Sequence, residues 1–186
     1  TFAEQVRCLV PQGRRFALIF CSDMLNLAEF RSLAPRWVRD VPAVVYFHEN
    51  QLTYPVRVES ERDYQFAMTN LTSALAAEAV WFNSVYHRDS FLAALETFLR
   101  RMPDHQPLDA IATIASKAAV LAPGVAEPPT RGARPDGPLR ILWAARWEHD
   151  KNPGDLFEAL KVLKQRGVDF RLSVIGEQFR ERPGVF

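Results

Sequence analysis

The chain has 186 residues, of which 48% are hydrophobic and 24% are charged, a composition typical of a globular protein with enough apolar material for a core. Basic and acidic residues number 23 and 22, and the resulting net charge of +1 neither demands nor excludes a nucleic-acid partner, because a basic patch can lie on a neutral chain. No apolar run approaches about 18 residues, so we predict no membrane-spanning helix.

The cysteines and histidines do not predict a disulfide or a metal site. Cys8 and Cys21 form no CxxC pair, and we interpret them as reduced thiols of a cytoplasmic protein. His48 and Glu49 begin like the HExxH zinc motif, but Leu52 occupies the position that the second histidine would need. A metalloprotease of that kind is excluded, and we expect no metal cofactor.

In chain order, short apolar strands alternate with helices. Strands are predicted at residues 16–21, 43–47, 79–83 and 118–121, and the first two are expected to be buried on both faces. Helices are predicted at residues 23–33, after an Asp63 cap, after a Ser84 cap, and at residues 108–116. This alternation predicts right-handed crossovers and a mostly parallel sheet.

Residues 123–138 differ from both flanks, because they are rich in proline and glycine and have no periodicity. After them, strands at 139–145 and 170–175 enclose a helix at 153–166. We therefore predict an N-terminal lobe at 1–122, a linker at 123–138 and the start of a C-terminal lobe at 139–186. Ligands of open α/β sheets bind beyond the carboxyl ends of strands, which directs attention to the residues after 47, 83, 145 and 175.

The loop after the strand at 139–145 is the strongest candidate for a binding site. Asn152 is a natural N-cap, Pro153 suits the first helical position, and Arg146 and Lys151 lie beside this helix start. Two cations near exposed backbone N–H groups favour an anion, best of all a diphosphate. Solvated loop cations explain the pattern about equally well. The chain has no GxGxxG, no P-loop and no Asp-x-Asp pair, so the cations would replace a metal in neutralising a leaving diphosphate.

Hydrogen-bonding residues also follow two strands of the first lobe. His48, Glu49 and Asn50 follow the strand at 43–47 and suit the hydroxyls of a sugar or ribose, although a structural histidine is somewhat favoured when this segment is taken alone. Asn83 and Ser84 end the next strand, and Ser84 is explained equally by helix capping. A solvated helix face is expected for His87, Arg88 and Asp89. A weaker signal places Asn70, Thr72 and Ser73 of the preceding helix near the same crevice. Phe66, Trp81 and Phe82 are expected in the core.

The segments FHENQLTYPV, FNSVYHRDSF and WAARWEHDKNP, together with the Ala-Pro-Gly-Val hinge, resemble the tRNA-queuosine α-mannosyltransferase family of GT-B glycosyltransferases. The resemblance covers residues 16–177. It implies two Rossmann-like lobes with mostly parallel sheets. It also implies a retaining enzyme that moves mannose from GDP-mannose to queuosine in the anticodon of tRNA-Asp, without a metal and in the cytoplasm.

Site residues follow from the same resemblance. Arg146 and Lys151 match the diphosphate-binding pair, next to Asn152, and His48 matches the histidine that contacts the transferred sugar near the reaction centre. These three, Arg146, Lys151 and His48, are therefore the catalytic candidates, and we predict that they face one another across a gap between the lobes. We do not assign His48 as a general base, because in such enzymes the departing phosphate takes the proton. Further sugar or acceptor contacts are expected from Glu49, Asn50, Asn83 and Ser84.

The chain also departs from the family pattern. A Gly-rich loop expected after a first strand is missing, as is a downstream pair of glutamates that would hold the donor. We therefore expect both lobes to be truncated and these 186 residues alone to be inactive. Two alternatives stay open: a GT-B transferase with a glycan or lipid acceptor, and a non-catalytic module that binds a nucleotide or RNA. The oligomeric state is not predicted.

Overall fold

The computed structural model describes residues 1–11, 13–56, 58, 62–130, 132–133, 136–177 and 184. The chain divides into two compact units, one made mostly of residues up to Val125 and the other mostly of residues from Ala126 onward. Both units combine helices with parallel strands, which confirms the predicted α/β class. Within the described ranges, no helix has the length and apolar character needed to cross a membrane.

The first unit is built on a parallel sheet of four strands, which lie side by side in chain order. The strands are β1 (Ile19–Ser22), β2 (Ala43–Phe47), β3 (Ala79–Phe82) and β4 (Ala118–Val120). The helices of this unit are α1 (Phe2–Leu9), α2 (Leu27–Leu33), α3 (Arg36–Arg39), α4 (Tyr64–Ala76), α5 (Val85–Leu99) and α6 (Asp109–Ser116). The predicted caps at Asp63 and Ser84 are confirmed, since each side chain accepts a backbone N–H of the helix that follows.

The core lies on one side of this sheet. Val45, Phe47, Val80 and Phe82 point to that side and have no exposed surface. Because the strands add in one direction, right-handed crossovers place their helices on the same side. On the opposite side Phe20 is 60% exposed and packs beside Tyr46 and Trp81, with ring centroids 6.1 Å apart in each case.

Three expectations about burial are therefore wrong. The strand at 16–21 is not buried on both faces, because Phe16, Leu18 and Phe20 are exposed, whereas the strand at 43–47 is buried on both faces except for the half-buried Tyr46. Trp81 is half-buried on the open face, and Phe66 is 48% exposed on α4. Phe82 does belong to the core, as expected.

The second unit contains the parallel pair β5 (Leu139–Ala144) and β6 (Phe170–Ile175), joined through α7 (Pro153–Gln165). A short 3-10 turn, His149–Lys151, precedes α7. Asn152 caps α7 in a left-handed backbone conformation with φ of 48°, which asparagine tolerates better than most residues. Pro153 occupies the first turn, as predicted.

Candidate functional site

Polar side chains converge at one edge of the four-stranded sheet, where β1, β2 and β3 end. Asp23 follows β1, His48 to Asn50 follow β2, and Asn83 and Ser84 follow β3. Parallel strands bring these three chain segments to the same edge, as the strand-end rule predicts. Asp23 and Asn50 are almost completely buried, whereas the side chain of His48 is half exposed.

Asp23 and His48 form the charged part of this site. The imidazole Nδ1 lies 2.6 Å from the carboxylate Oδ1 of Asp23, and the backbone N–H of His48 also points to that oxygen at 3.4 Å. Burial raises the pKa of the Asp23 carboxyl, and the attraction of the neighbouring imidazole opposes this rise. Among the described residues, no group donates a hydrogen bond to the buried second oxygen, Oδ2.

A network of hydrogen bonds between uncharged side chains supports the backbone of His48. The Asn50 amide donates to Thr53 Oγ1 at 2.8 Å and lies 2.7 Å from His87 Nε2, so Nε2 must be the acceptor. His87 Nδ1 then carries the proton and donates to Asn83 Oδ1 at 3.1 Å. Asn83 in turn donates its Nδ2 to the carbonyl oxygen of His48 at 2.8 Å. A continuous set of hydrogen bonds therefore holds the backbone of His48 in place.

The protonation of His87 agrees with this network. Its side chain is only 8% exposed, and burial, followed by repulsion from His48, lowers the pKa of His87. A neutral ring can accept from Asn50 and donate to Asn83 at the same time, which a doubly protonated ring cannot do. The expectation that His87 lies on a solvated face is wrong, whereas Asp89 in the same turn is indeed solvated.

Helix α4 connects the loop after β1 to the loop after β2. Asn70, buried on α4, donates to the carbonyl oxygen of Asp23 at 3.1 Å and accepts the N–H of Gln51 at 2.9 Å. One turn further, Ser73 bonds the backbone of the β1–α2 loop at Leu25 and Leu27. The weak expectation that α4 approaches the crevice is confirmed for these two residues. Thr72 bonds only its own helix among the described groups.

One group of side chains at this edge has the chemistry to hold a metal ion. The ligand atoms of Asp23, His48 and Glu49 lie within 4.8 Å of one another. Carboxylate and imidazole groups at this spacing suit a divalent cation. However, the direct hydrogen bond of 2.6 Å between Asp23 and His48 explains why these two side chains lie close together without a metal ion. The spacing of histidines in the sequence does not show this cluster, because Asp23 is distant along the chain.

The second unit carries the predicted cation pair in the loop between β5 and α7. Arg146 pairs with Glu148 at 3.3 Å, and Lys151 pairs with Asp150 at 2.6 Å. Both cations remain partly exposed, with side-chain exposures of 52% and 38%. A bound anion would therefore compete with carboxylates of the same loop. Asn152 faces its own helix, because its amide bonds Asp155 at 2.6 Å.

A close backbone approach shapes this loop. Gly176, directly after β6, lies against the loop after β5, and a Cβ atom there would overlap the carbonyl oxygen of Ala145 and lie 3.1 Å from the ring of Trp147. The backbone N–H of Trp147 also donates to the carbonyl of Glu177 at 3.0 Å. Only glycine permits this contact, so the position of the Arg146 loop depends on residue 176.

Comparison with known proteins shows which family the chain resembles. Residues 1–125 match the family described as "tRNA-queuosine alpha-mannosyltransferase N-terminal". A relative from Drosophila melanogaster, named tRNA-queuosine alpha-mannosyltransferase, is 36% identical over 192 residues, which cover 96% of this chain and 50% of the relative. The chain thus spans about half the length of that curated relative. No solved structure is significantly similar to the chain.

Proposed function

Because the chain belongs to the tRNA-queuosine alpha-mannosyltransferase family, we propose that its protein is a retaining glycosyltransferase of the GT-B type that transfers mannose from GDP-mannose to queuosine in the anticodon of tRNA-Asp. The observation that carries this proposal is the half-exposed His48, held by buried polar groups at a strand-end edge of a chain similar to such an enzyme along nearly its whole length. A cytoplasmic location belongs to the proposal and agrees with two free cysteines.

Each unit has a part in the proposed reaction. Arg146 and Lys151 bind the diphosphate of the donor and leave their carboxylate partners, Glu148 and Asp150, in exchange for the more highly charged anion. Asn152 keeps the helix start beside them in place by capping α7. As negative charge develops on the leaving diphosphate, the two cations stabilise it without a metal.

The sugar is transferred on the face from which the diphosphate departs. A hydroxyl oxygen of queuosine forms the new bond to the anomeric carbon, while the bond from that carbon to the phosphate oxygen breaks. The hydroxyl proton moves to the departing phosphate, so GDP leaves and the α configuration is retained. His48 contacts the sugar near this centre, with Glu49, Asn50, Asn83 and Ser84 around it. Because Asn50 and Asn83 are bonded to His87, they act by holding the site in shape.

The proposal is tested by nucleoside mass spectrometry of tRNA incubated with the full-length protein and GDP-mannose. We expect mannosyl-queuosine from tRNA-Asp that carries queuosine and none from tRNA that lacks it. Arg146→Ala and Lys151→Ala should each lower kcat/KM roughly 10- to 100-fold, the worth of one charge-assisted contact to the leaving group. Lys161→Ala is the matched control, because Lys161 pairs with Glu158 on the exposed face of α7.

The same assay distinguishes the alternatives. A GT-B enzyme with a glycan or lipid acceptor would hydrolyse or transfer mannose without modifying tRNA, and no mannosyl-queuosine would form. A non-catalytic binding module would keep its affinity for nucleotide or RNA in His48→Ala, whereas the transferase should lose most of its rate. Equal turnover by the Arg146, Lys151 and Lys161 variants would contradict the assigned donor site. Chelation by EDTA should leave the rate unchanged, and loss of activity that a divalent cation restores would show instead that the transfer needs a metal ion, for which Asp23, His48 and Glu49 are candidate ligands among the described residues.

A further inference from the structure

Asp23 is the most deeply buried ionisable group at the sheet edge, with 1% of its surface exposed. It comes from a different loop than His48 and is separated from it by 25 residues. Its Oδ1 accepts hydrogen bonds from the ring Nδ1 and the backbone N–H of His48, and the backbone carbonyl of Asp23 accepts one from the Asn70 amide. The carboxylate is thus placed rigidly, and its side chain bonds only His48 among the described residues.

This arrangement is unfavourable for stability alone. An ionised carboxylate loses hydration when it is buried, and here its Oδ2 gains no hydrogen bond in return from the described residues. A neutral side chain of the same shape would avoid the burial of a charge. A buried carboxylate that nevertheless bonds a half-exposed imidazole therefore suggests a role in setting the state of that imidazole.

A carboxylate can only accept a hydrogen bond, so the ring nitrogen that faces Asp23 must carry the proton. The neutral imidazole then has no proton on Nε2, which bonds no described group, and the side chain as a whole is half exposed. Such a nitrogen accepts a hydrogen bond from a hydroxyl group and does not donate one to an anion.

We propose that Asp23 is a positioning residue that fixes His48 in the tautomer protonated at Nδ1, so that Nε2 is presented as an acceptor for a hydroxyl group of a bound substrate. The proposal concerns the structure of the site and rests on the proposed function only in its kinetic test. It assigns Asp23, which directly follows β1, to the same functional unit as His48.

The direct test is nitrogen-15 NMR of the histidine rings in the full-length protein, at a pH where His48 is neutral and with its signals assigned through His48→Gln. We expect a protonated Nδ1 and an unprotonated Nε2. In Asp23→Asn the amide can donate to Nδ1 as well as accept from it, so the proton should shift wholly or partly to Nε2. A wild-type His48 protonated at Nε2, or the same spectrum in Asp23→Asn, would overturn the proposal.

Stability and kinetics separate positioning from a merely structural role. Asp23→Asn should keep or raise the melting temperature, because it removes a buried charge. It should nevertheless lower kcat/KM about tenfold, the worth of the one hydrogen bond that Nε2 can no longer accept from the substrate hydroxyl. A rise in KM for GDP-mannose would locate the hydroxyl on the sugar, and a rise in KM for the tRNA would locate it on queuosine. Asp89→Asn is the control, because this exposed carboxylate pairs only with Arg88 among the described groups.

The outcomes separate this proposal from the proposed function. The expected tautomer without any transfer to queuosine would refute the function and leave the positioning role of Asp23 intact. Transfer to queuosine by a protein whose His48 tautomer does not depend on Asp23 would support the proposed function and refute the positioning role of Asp23. A rate loss in Asp23→Asn that merely parallels a loss of melting temperature would show that Asp23 acts through stability, and it would refute the positioning role.

Discussion

The hydrogen bonds around His87 lead to a prediction about stability, since Asn83 is bound from three sides. Its amide bonds the His48 carbonyl at 2.8 Å, and its Oδ1 accepts from His87 Nδ1 at 3.1 Å and from Ser84 Oγ at 3.1 Å. Asn83→Ala leaves the Nδ1–H of a buried ring unpaired, at a cost of about 1–3 kcal/mol. The other two partners are nearer to solvent and regain water. We expect a loss of about 2 kcal/mol in the free energy of unfolding.

A double-mutant cycle tests the cause of this loss. His87→Phe removes the ring nitrogen that would be orphaned, so the double variant Asn83→Ala/His87→Phe should be more stable than the sum of the single losses predicts. The expected coupling is about 1 kcal/mol, and urea denaturation of the four proteins measures it. Thr97→Ala, on the exposed face of α5, is the control and should change stability by less than about 0.5 kcal/mol.

Two results would refute this reasoning. Losses that add within about 0.5 kcal/mol would show that Asn83 and His87 do not depend on each other. Unchanged stability in Asn83→Ala, combined with a lower transfer rate, would show that Asn83 acts only by contact with a substrate, as the resemblance to the family implied.

The two cysteines and Gly176 give further predictions. Cys8 is exposed, whereas burial raises the pKa of the Cys21 thiol to about 11, so a maleimide at neutral pH should modify Cys8 but not Cys21 in the folded protein, and both of them in denaturant. Rapid modification of both thiols in the folded protein would contradict the burial of Cys21. Gly176→Ala should displace the Arg146 loop, cost about 1–3 kcal/mol and weaken GDP binding by roughly tenfold, as measured by calorimetry. Gly154→Ala is the control, because a Cβ there meets nothing within 4 Å; equal GDP affinity of the two variants would contradict the prediction.

Local patterns were sufficient to predict most strands and helix starts. A short apolar segment such as residues 43–47 fits few structures in a globular protein other than a buried strand. A helix cap at Ser84 or Asn152 depends only on residues within one helical turn. The same local signal was available for α1, where Thr1 and Glu4 form a capping box, but no helix was predicted there. A short 3-10 turn and a four-residue α3 lie below what periodicity can resolve.

Features that depend on distant parts of the chain could not be predicted in this way. The helix expected at residues 23–33 begins only at Leu27, with Asn26 as its cap, because Asp23 is drawn into the sheet edge by His48 and Asn70. The burial of His87 depends on how α5 is rotated over Phe82, whose ring it meets edge-on at 5.4 Å. Applying the strand-end rule to the first strand as well would have singled out Asp23.

The two histidines of this edge have different tasks, and the difference bears on the proposed chemistry. His87 has both ring nitrogens bonded inside the protein and a pKa lowered by burial, so it cannot exchange a proton with a substrate. His48 has one nitrogen bonded to Asp23 and the other directed away from that bond, in a half-exposed ring. A neutral imidazole whose Nδ1–H is held by a carboxylate can accept a hydrogen bond from a substrate hydroxyl at Nε2. In the proposed transfer the departing phosphate takes the hydroxyl proton, so the contribution assigned to His48 is to orient a hydroxyl group by accepting its hydrogen bond.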